Sequence, residues 1–312
     1  MLGRFYQGSD YVSDVRTLIH DISASDYSDT QILNFVNKGR FRVAQDCRCV
    51  RQAIYGLNTI TQQEQYPLTD FVGGLALTAG GTGYTNPTLS FAGGSGAGAA
   101  GVVTQTGGVL QAPYMTNWGQ LYTSQPTVTI NDPTGSGGAI SAINGTSILD
   151  LYLVTILQSF PAQSATLAPT MNWLPFDAFQ AFCRAYRATY SWPGAFTIHY
   201  GPTTPLNQSS IQWTVYMYPI PNQVMPMEWD AITLPNVLPT TASVDYQVVP
   251  PWYDAVQFYA AHYAFLGVSN WPAAAQMMNL YMARTRELPA TARARRVHSF
   301  YRLYAKTIRR MS

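Results

Sequence analysis

The chain predicts an α+β fold: a mainly helical core with a small antiparallel β-sheet, plus an inserted Gly/Thr/Ser-rich β domain. Three observations carry this expectation. Apolar residues recur at spacings of three and four near both ends of the chain, as helices require. From Gly73 to Gly145 there is no Lys, Arg, Glu or His, and Asp132 is the single charge. Beyond that block, short alternating apolar runs return. The expected division is 1–72 with 146–312 for the helical core and 73–145 for the insertion.

At the N-terminal end, Val12, Val15, Leu18, Ile19 and Ile22 form the stripe of a first helix, Tyr11 to Ile22. Ser28 and Gln31 match a capping box, serine followed three places later by glutamine. Ile32, Phe35, Val36, Gly39 and Val43 then line a second helix ending near Cys47, roughly 28 Å long at 1.5 Å per residue. Lys38, Arg40 and Arg42 fall away from its main stripe, and Gly39 within it admits another helix at close range.

Gln62 to Phe71 reads as strand, and the glycine-rich block then contains an internal echo. Tyr84-Thr85-Asn86-Pro87-Thr88-Leu89-Ser90-Phe91 returns as Tyr122-Thr123-Ser124-Gln125-Pro126-Thr127-Val128-Thr129-Ile130, each followed by a run of small residues. In both copies a proline opens a short alternating strand and glycines supply the turns. Gly93 to Gly98 lack the closing Lys-Ser or Lys-Thr of a phosphate loop. Ile148 to Leu157 reads as a core strand, expected to close the sheet begun near Tyr66. Pro175 to Arg187 is helical in pattern, and Phe196–Tyr200 and Ile211–Tyr218 are strands. Pro219, Pro221, Pro226, Pro235 and Pro239 predict an extended crossing with little regular structure.

Pro250 and Pro251 precede a helix in which Val256, Tyr259, Tyr263 and Leu266 share a face and Gly267 is the stop. A further helix is expected from Trp271 to Glu287, a break at Pro289, and a last segment from Ala290 to Arg310. Nine of the 18 Lys and Arg lie from Arg284 onward, opposed there by Glu287 alone, so this tail is an amphipathic basic helix.

Charged residues are 11% of the 312-residue chain, with a net charge of +2. Roughly 25% is usual for soluble domains. With 21 tyrosines as well, burial against other subunits is the simplest way to cover such a surface, so an oligomer is expected. No segment has the length and apolarity of a bilayer span and the start lacks a signal-peptide pattern, so no membrane role is expected. Cys47, Cys49 and Cys183 are odd in number and are expected as free thiols.

No enzyme is expected. The four histidines are scattered, and Glu228 and Asp230 share a strand face without a facing partner. Nucleophile-elbow, zinc-protease and dinucleotide motifs are missing, so neither cofactor nor metal is expected.

The run from Tyr27 to Asp46, with Asn37, Gly39 and Arg40 in order, resembles the second helix of tailed-bacteriophage head-to-tail adaptors, the portal-binding connector family. Tyr216 to Pro221 resembles that family's strand ending in spaced prolines, and Pro250 to Gly267 its late amphipathic helix. Gly81-Thr82-Gly83-Tyr84 is similar to glycine-rich β modules of phage tail and fibre proteins, although the second copy lacks the preceding Gly-x-Gly. The resemblance implies a virion structural protein at the head–tail junction, assembled in the host cytoplasm. It would form a homo-oligomeric ring of about twelve copies beneath the portal protein. Such a ring extends the DNA channel, lies close to packaged DNA without reading sequence, and docks a tail tube or nozzle protein. The inserted module is expected to project from the ring exterior, as a contact to a tail fibre protein or the capsid or as simple bulk. Another tail or baseplate component is the alternative. In the resembling family the C-terminal segment reaches into the portal. The expected portal-docking residues are therefore Arg293, Arg295, Arg296, Phe300, Tyr301, Arg302, Tyr304, Lys306, Ile308, Arg309 and Arg310.

Overall fold

The computed structural model describes residues 5–21, 23–157, 170–183, 189–202, 211–248 and 250–292. The chain divides into two compact units, 1–51 with 232–312 and 52–231. Strand outweighs helix, 39% against 27%, which overturns the expectation of a mainly helical core. The sequence periodicity locates the helices, but two long stretches flanking the glycine-rich block also form strands.

The first unit opens with α1 (Gly8–Ile19) and α2 (Asp29–Cys47). Gln7 and Asp10 cap α1 reciprocally, and Tyr11, Val12 and Val15 are its buried stripe. The capping box of α2 forms as its sequence dictates: the Gln31 N–H donates to Ser28 Oγ at 3.3 Å and the Ser28 N–H to Gln31 Oε1 at 2.9 Å.

The second unit runs through β1 (Arg51–Asn58), β2 (Gln65–Pro67), β3 (Phe71–Thr82), β4 (Thr88–Ala92), β5 (Ala97–Val102), β6 (Gln105–Thr106), β7 (Val109–Leu110), β8 (Tyr114–Gln120), β9 (Thr127–Asn131), β10 (Ser136–Gly145) and β11 (Ile148–Ile156). It continues with β12 (Asn172–Trp173), α3 (Phe176–Cys183), β13 (Tyr190–Ser191), β14 (Ala195–Pro202), β15 (Ile211–Tyr218), β16 (Ile220–Pro221) and β17 (Pro226–Thr233). One sheet has the order β10-β3-β1-β17-β11 and another β12-β14-β15-β2. Thus β11 does not close the sheet of Tyr66; that residue is in β2, which pairs with β15. The crossing expected to be irregular supplies β16 and β17, because its prolines fall at strand ends, where a missing N–H interrupts no central ladder.

The stretch 73–145 lies wholly inside this second unit. Its Leu110, Met115 and Trp118 belong to the same buried cluster as Tyr66, Phe71 and Trp229. Trp118 stacks on Phe71 at 4.6 Å between ring centroids and lies 5.2 Å from Trp229. Its indole N–H donates to the Asn58 carbonyl at 3.0 Å.

Here the internal echo becomes an interlocked pair. The first copy is β3, Tyr84, β4, β5; the second is β8, Tyr122, β9, β10. The proline-led strands pair with each other, Leu89 opposite Ile130 and Phe91 opposite Val128. The outer strands exchange: β3 of the first copy pairs with β10 of the second, and β8 of the second with β5 of the first. Each tyrosine is buried on the other copy's glycine. A methyl group at Gly135 would lie inside the Tyr84 ring, and one at Gly96 inside the Tyr122 ring. Backbone angles match pairwise: φ is +58° at Gly81 and +65° at Gly119, and +78° at Gly83 and +63° at Leu121.

The chain completes the first unit with α4 (Tyr253–Gly267) and α5 (Trp271–Ala292). The buried face of α4 is made of Ala255, Val256, Ala260, Ala261 and Ala264 more than of the tyrosine stripe expected from spacing. Small side chains let α2 come close: a Cβ on Gly39 would stand 2.8 Å from the Val256 carbonyl oxygen, so the approach foreseen at this glycine is realised. Helix α5 continues past Pro289 to Ala292, beyond the expected break.

Candidate docking surface

The portal-docking residues expected from Arg293 to Arg310 lie outside the described residues. What the structure describes is the base from which that segment departs. Helix α5 is fixed to its neighbours by paired groups. Tyr281 packs against Tyr259 at 5.0 Å and its hydroxyl donates to Asp46 at 2.6 Å. Asp46 also accepts from Arg42 at 2.9 Å, one turn away on α2. Burial first, then the Asp46 carboxylate, drive the Tyr281 phenol far above its ordinary pKa, so it stays a donor. Arg284 reaches Asp254 on α4 at 2.9 Å, and a nitrogen of His262 lies 2.8 Å from the Ala274 carbonyl.

A second feature is a buried clasp. Arg40, expected away from the apolar stripe, is 1% exposed. Its guanidinium grips Asp245 with two bonds, 2.7 Å from Nε and 2.8 Å from Nη2, and also donates to the Asn236 carbonyl. Asp245 accepts further from Tyr11 at 3.1 Å and from the N–H groups of Gln247 and Val248. Burial, with Asp245 alongside, pushes the Tyr11 phenol well above its usual value, leaving it neutral. Asn37 binds Leu238 reciprocally, its amide donating to the carbonyl at 3.1 Å and its oxygen accepting the N–H at 2.9 Å. A desolvated ion pair is tolerable only with its remaining donors and acceptors satisfied, and this one has them. Asn37, Gly39 and Arg40, the residues that carry the adaptor resemblance in α2, therefore have three tasks. Two hold the 234–248 segment and one admits α4.

The clasp was hidden in the sequence because its partners stand 205 residues apart. A signal was present: Asp245 is the single charge in the run from Leu234 to Val249. A second pin joins Arg16 to Asp21 at 3.0 Å and to Asp29 at 2.6 Å.

Surface chemistry is otherwise sparse. Lys38 lies 4.8 Å above the Tyr263 ring. Burial pushes the thiol of Cys47 up to about 11 and that of Cys49 up to about 12, so both stay protonated near neutrality. Both are free. Glu228 and Asp230 flank Trp229, which is fully buried, so the two carboxylates do share the opposite strand face. Among the described residues, no group of three or more His, Cys, Asp or Glu is placed to hold a metal ion. No helix among them is long and apolar enough to cross a membrane. No protein-family model matches the chain, and no curated protein is significantly similar to it.

Proposed function

We propose that this protein is a structural head-to-tail adaptor of a tailed phage. Copies form a ring beneath the portal, continue the DNA channel and offer a docking surface to the tail. The observation that carries this reading is the joint role of the motif residues. The early motif (Asn37, Gly39, Arg40) and the late helix α4 meet in one helical unit, and Gly39 is what allows α2 to approach α4. The strand motif at Tyr216 to Pro221 stands between them in the chain, in the order the resemblance requires. Its work is binding and symmetry matching, without turnover.

The basic aromatic segment after α5 docks to the portal. Its arginines suit carboxylate pairs and Phe300, Tyr301 and Tyr304 suit apolar grooves. Mass measurement of the protein alone and mixed with its portal tests the whole reading: a higher-order complex of several copies on the portal is expected, and a monomer in both samples overturns it. Truncation after Pro289 is expected to abolish attachment, and Tyr301→Ala with Tyr304→Ala to weaken it with every charge retained. Unchanged attachment by the truncated chain rules out portal docking by this segment.

A further inference from the structure

The run Thr61-Gln62-Gln63-Glu64-Gln65 is polar throughout and holds a single charge, Glu64. It forms one wall of an open cleft of about 870 Å³ in the 52–231 unit. The other wall is the end of β8, with Asn117 and Gln120, beside Ala97 and Gly98 of β5. Both walls are held by the fold itself. The hydroxyl of the buried Tyr66 accepts the Ile60 N–H at 2.9 Å and lies 3.2 Å from the Gln63 carbonyl. The N–H groups of Thr59 and Gln62 donate to the carbonyls of Met225 and Pro221. Asn58 fixes β8: its amide donates to the Met115 carbonyl and its oxygen accepts the Met115 N–H, both at 3.0 Å.

The fold does not require the carboxamides on β8. Gly119 and Leu121 match Gly81 and Gly83 of the first copy in backbone angle, so Asn117 and Gln120 stand where that copy has Ala79 and Thr82. The same backbone is built there without a carboxamide. Among the described residues, the side chains of Gln62, Gln65 and Gln120 have no hydrogen-bond partner. The Asn117 oxygen accepts the Gly119 N–H at 2.9 Å, which leaves its amide donors spare. Each carboxamide offers two donors and a two-lone-pair acceptor. Small-molecule sites of roughly 300–1,000 Å³ are ordinarily lined by apolar and aromatic side chains. This one is lined by amides, with one carboxylate and no Lys or Arg among its described residues.

We propose that this cleft binds a neutral oligosaccharide. A sugar hydroxyl both donates and accepts, as a carboxamide does, so a row of hydroxyls satisfies a row of amides. Glu64 adds an acceptor, and its charge, with no cation in the described lining, disfavours phosphate, nucleic acid and acidic glycans. Ile60 and Pro67 supply small apolar contacts for the faces of the sugar rings. An extended peptide would instead add to the edge of β2. Pro67 has no N–H to give it, and the Gln65 carbonyl already accepts the Gln63 amide at 2.7 Å. The proposal stands apart from the adaptor reading.

Calorimetric titration of the full-length chain with maltotriose, cellotriose and triacetylchitotriose tests it, with triglycine and inorganic phosphate as contrasts. At least one of the three sugars is expected to bind at millimolar concentration, and neither contrast. Two variants assign the binding to the cleft. Asn117→Ala/Gln120→Thr gives β8 the first copy's residues, and Gln62→Ala/Gln65→Ala strips the opposite wall. Each is expected to weaken sugar binding at least about tenfold, the effect of losing two neutral hydrogen bonds, with the thermal midpoint near that of the parent. The first copy folds with Ala79 and Thr82, so the β8 variant keeps the test decisive even if the other fails to fold. Failure of all three sugars to bind overturns the proposal. So does sugar binding undiminished in the β8 variant, or triglycine or phosphate binding as tightly as the sugars. Each of these outcomes leaves the adaptor reading intact, since that reading is decided by mass measurement with the portal.

Discussion

In the unit formed by 1–51 and 232–312, the fixed points are charged. Arg40 grips Asp245 with both groups essentially buried, Arg16 ties Asp21 and Asp29, and Asp46 gathers Tyr281 and Arg42. In the 52–231 unit the corresponding work falls to shape. Phe71, Trp118 and Trp229 meet at its centre, and two tyrosines rest on two glycines where any side chain would collide. The difference follows from composition: between Gly73 and Gly145 only Asp132 is available for a charged contact. A segment with a single charge has to specify most of its pairing by steric fit, while helices crossed by a long irregular segment need strong, directional bonds to satisfy that segment's backbone. The two units are thus expected to break under different substitutions.

The largest effect is expected in the charged clasp. Asp245→Asn leaves the Arg40 guanidinium buried without its carboxylate and is expected to cost about 3–5 kcal/mol. Pairing Arg40→Met with Asp245→Leu removes both charges and is expected to be milder than the Asp245→Asn change. Chemical denaturation of the three proteins measures this. A double variant less stable than the single one shows that the geometry of the clasp, and not the unpaired charge, carries the loss.

Next in size is the steric lock. Gly135→Ala and Gly96→Ala each drive a methyl group into the partner copy's tyrosine, and overpacking of this kind costs about 1–3 kcal/mol. Neither position has the left-handed backbone that would make alanine costly by itself, so the penalty is purely one of space. If the interlock is as symmetric as its pairing, the two thermal midpoints fall by similar amounts. A drop at one site alone indicates that the copies have diverged in how they pack.

This contrast also explains what the sequence made legible. Local rules read well: the Ser28–Gln31 capping box, the close approach at Gly39 and the two proline-led strands each depend on neighbours within a few positions. The pairing of those strands, Leu89 with Ile130, and the exchange of their partners, such as Phe71 with Gly145, depend on residues far apart in the chain that no local periodicity records. The same holds for Arg40, whose spacing on α2 placed it off the apolar stripe because its acceptor is Asp245. Alanines displaced the tyrosines as the buried face of α4 because close helix packing favours the smallest side chains. β17 was obscured by prolines that stand at the ends of the strands and leave their interiors intact. The docking residues from Arg293 onward were read from charge and aromatic spacing together with the family resemblance.

A smaller effect is expected where the glycine-rich stretch does use its one charge. Asp132 accepts the Thr134 hydroxyl and the N–H groups of Thr134, Thr85 and Asn86, tying the turn after β9 to the strand entry after Tyr84. Led by the Thr134 hydroxyl, these bonds hold its carboxyl well below the usual carboxylate range. A depressed folded-state pKa contributes stability that is present above the unfolded value and lost as pH falls through the folded one. Relative to Asp132→Ala, the parent is therefore expected to be more stable at neutral pH, with the difference shrinking in strong acid. A difference independent of pH down to pH 2 shows that the bonds do not depend on the carboxylate.

The smallest expected effect is a gain. Leu121 occupies the position that Gly83 fills in the other copy, and both have the left-handed backbone, φ +63° and +78°. A residue with a Cβ is disfavoured there by roughly 1–2 kcal/mol, while glycine adds unfolded-state freedom worth roughly 0.5–1 kcal/mol. Leu121 is 62% exposed, so its side chain has little packing to lose. Leu121→Gly is accordingly expected to raise stability by about 0.5–1 kcal/mol. The converse, Gly83→Leu, adds the backbone penalty and sets a Cβ 3.0 Å from the Thr134 carbonyl oxygen, so it is expected to destabilise by more than the first change gains. Thermal midpoints of the two variants decide the matter. A fall on Leu121→Gly means that the leucine, not the turn, holds the second copy in place, and that the copies are fixed by unlike contacts despite their matched backbones.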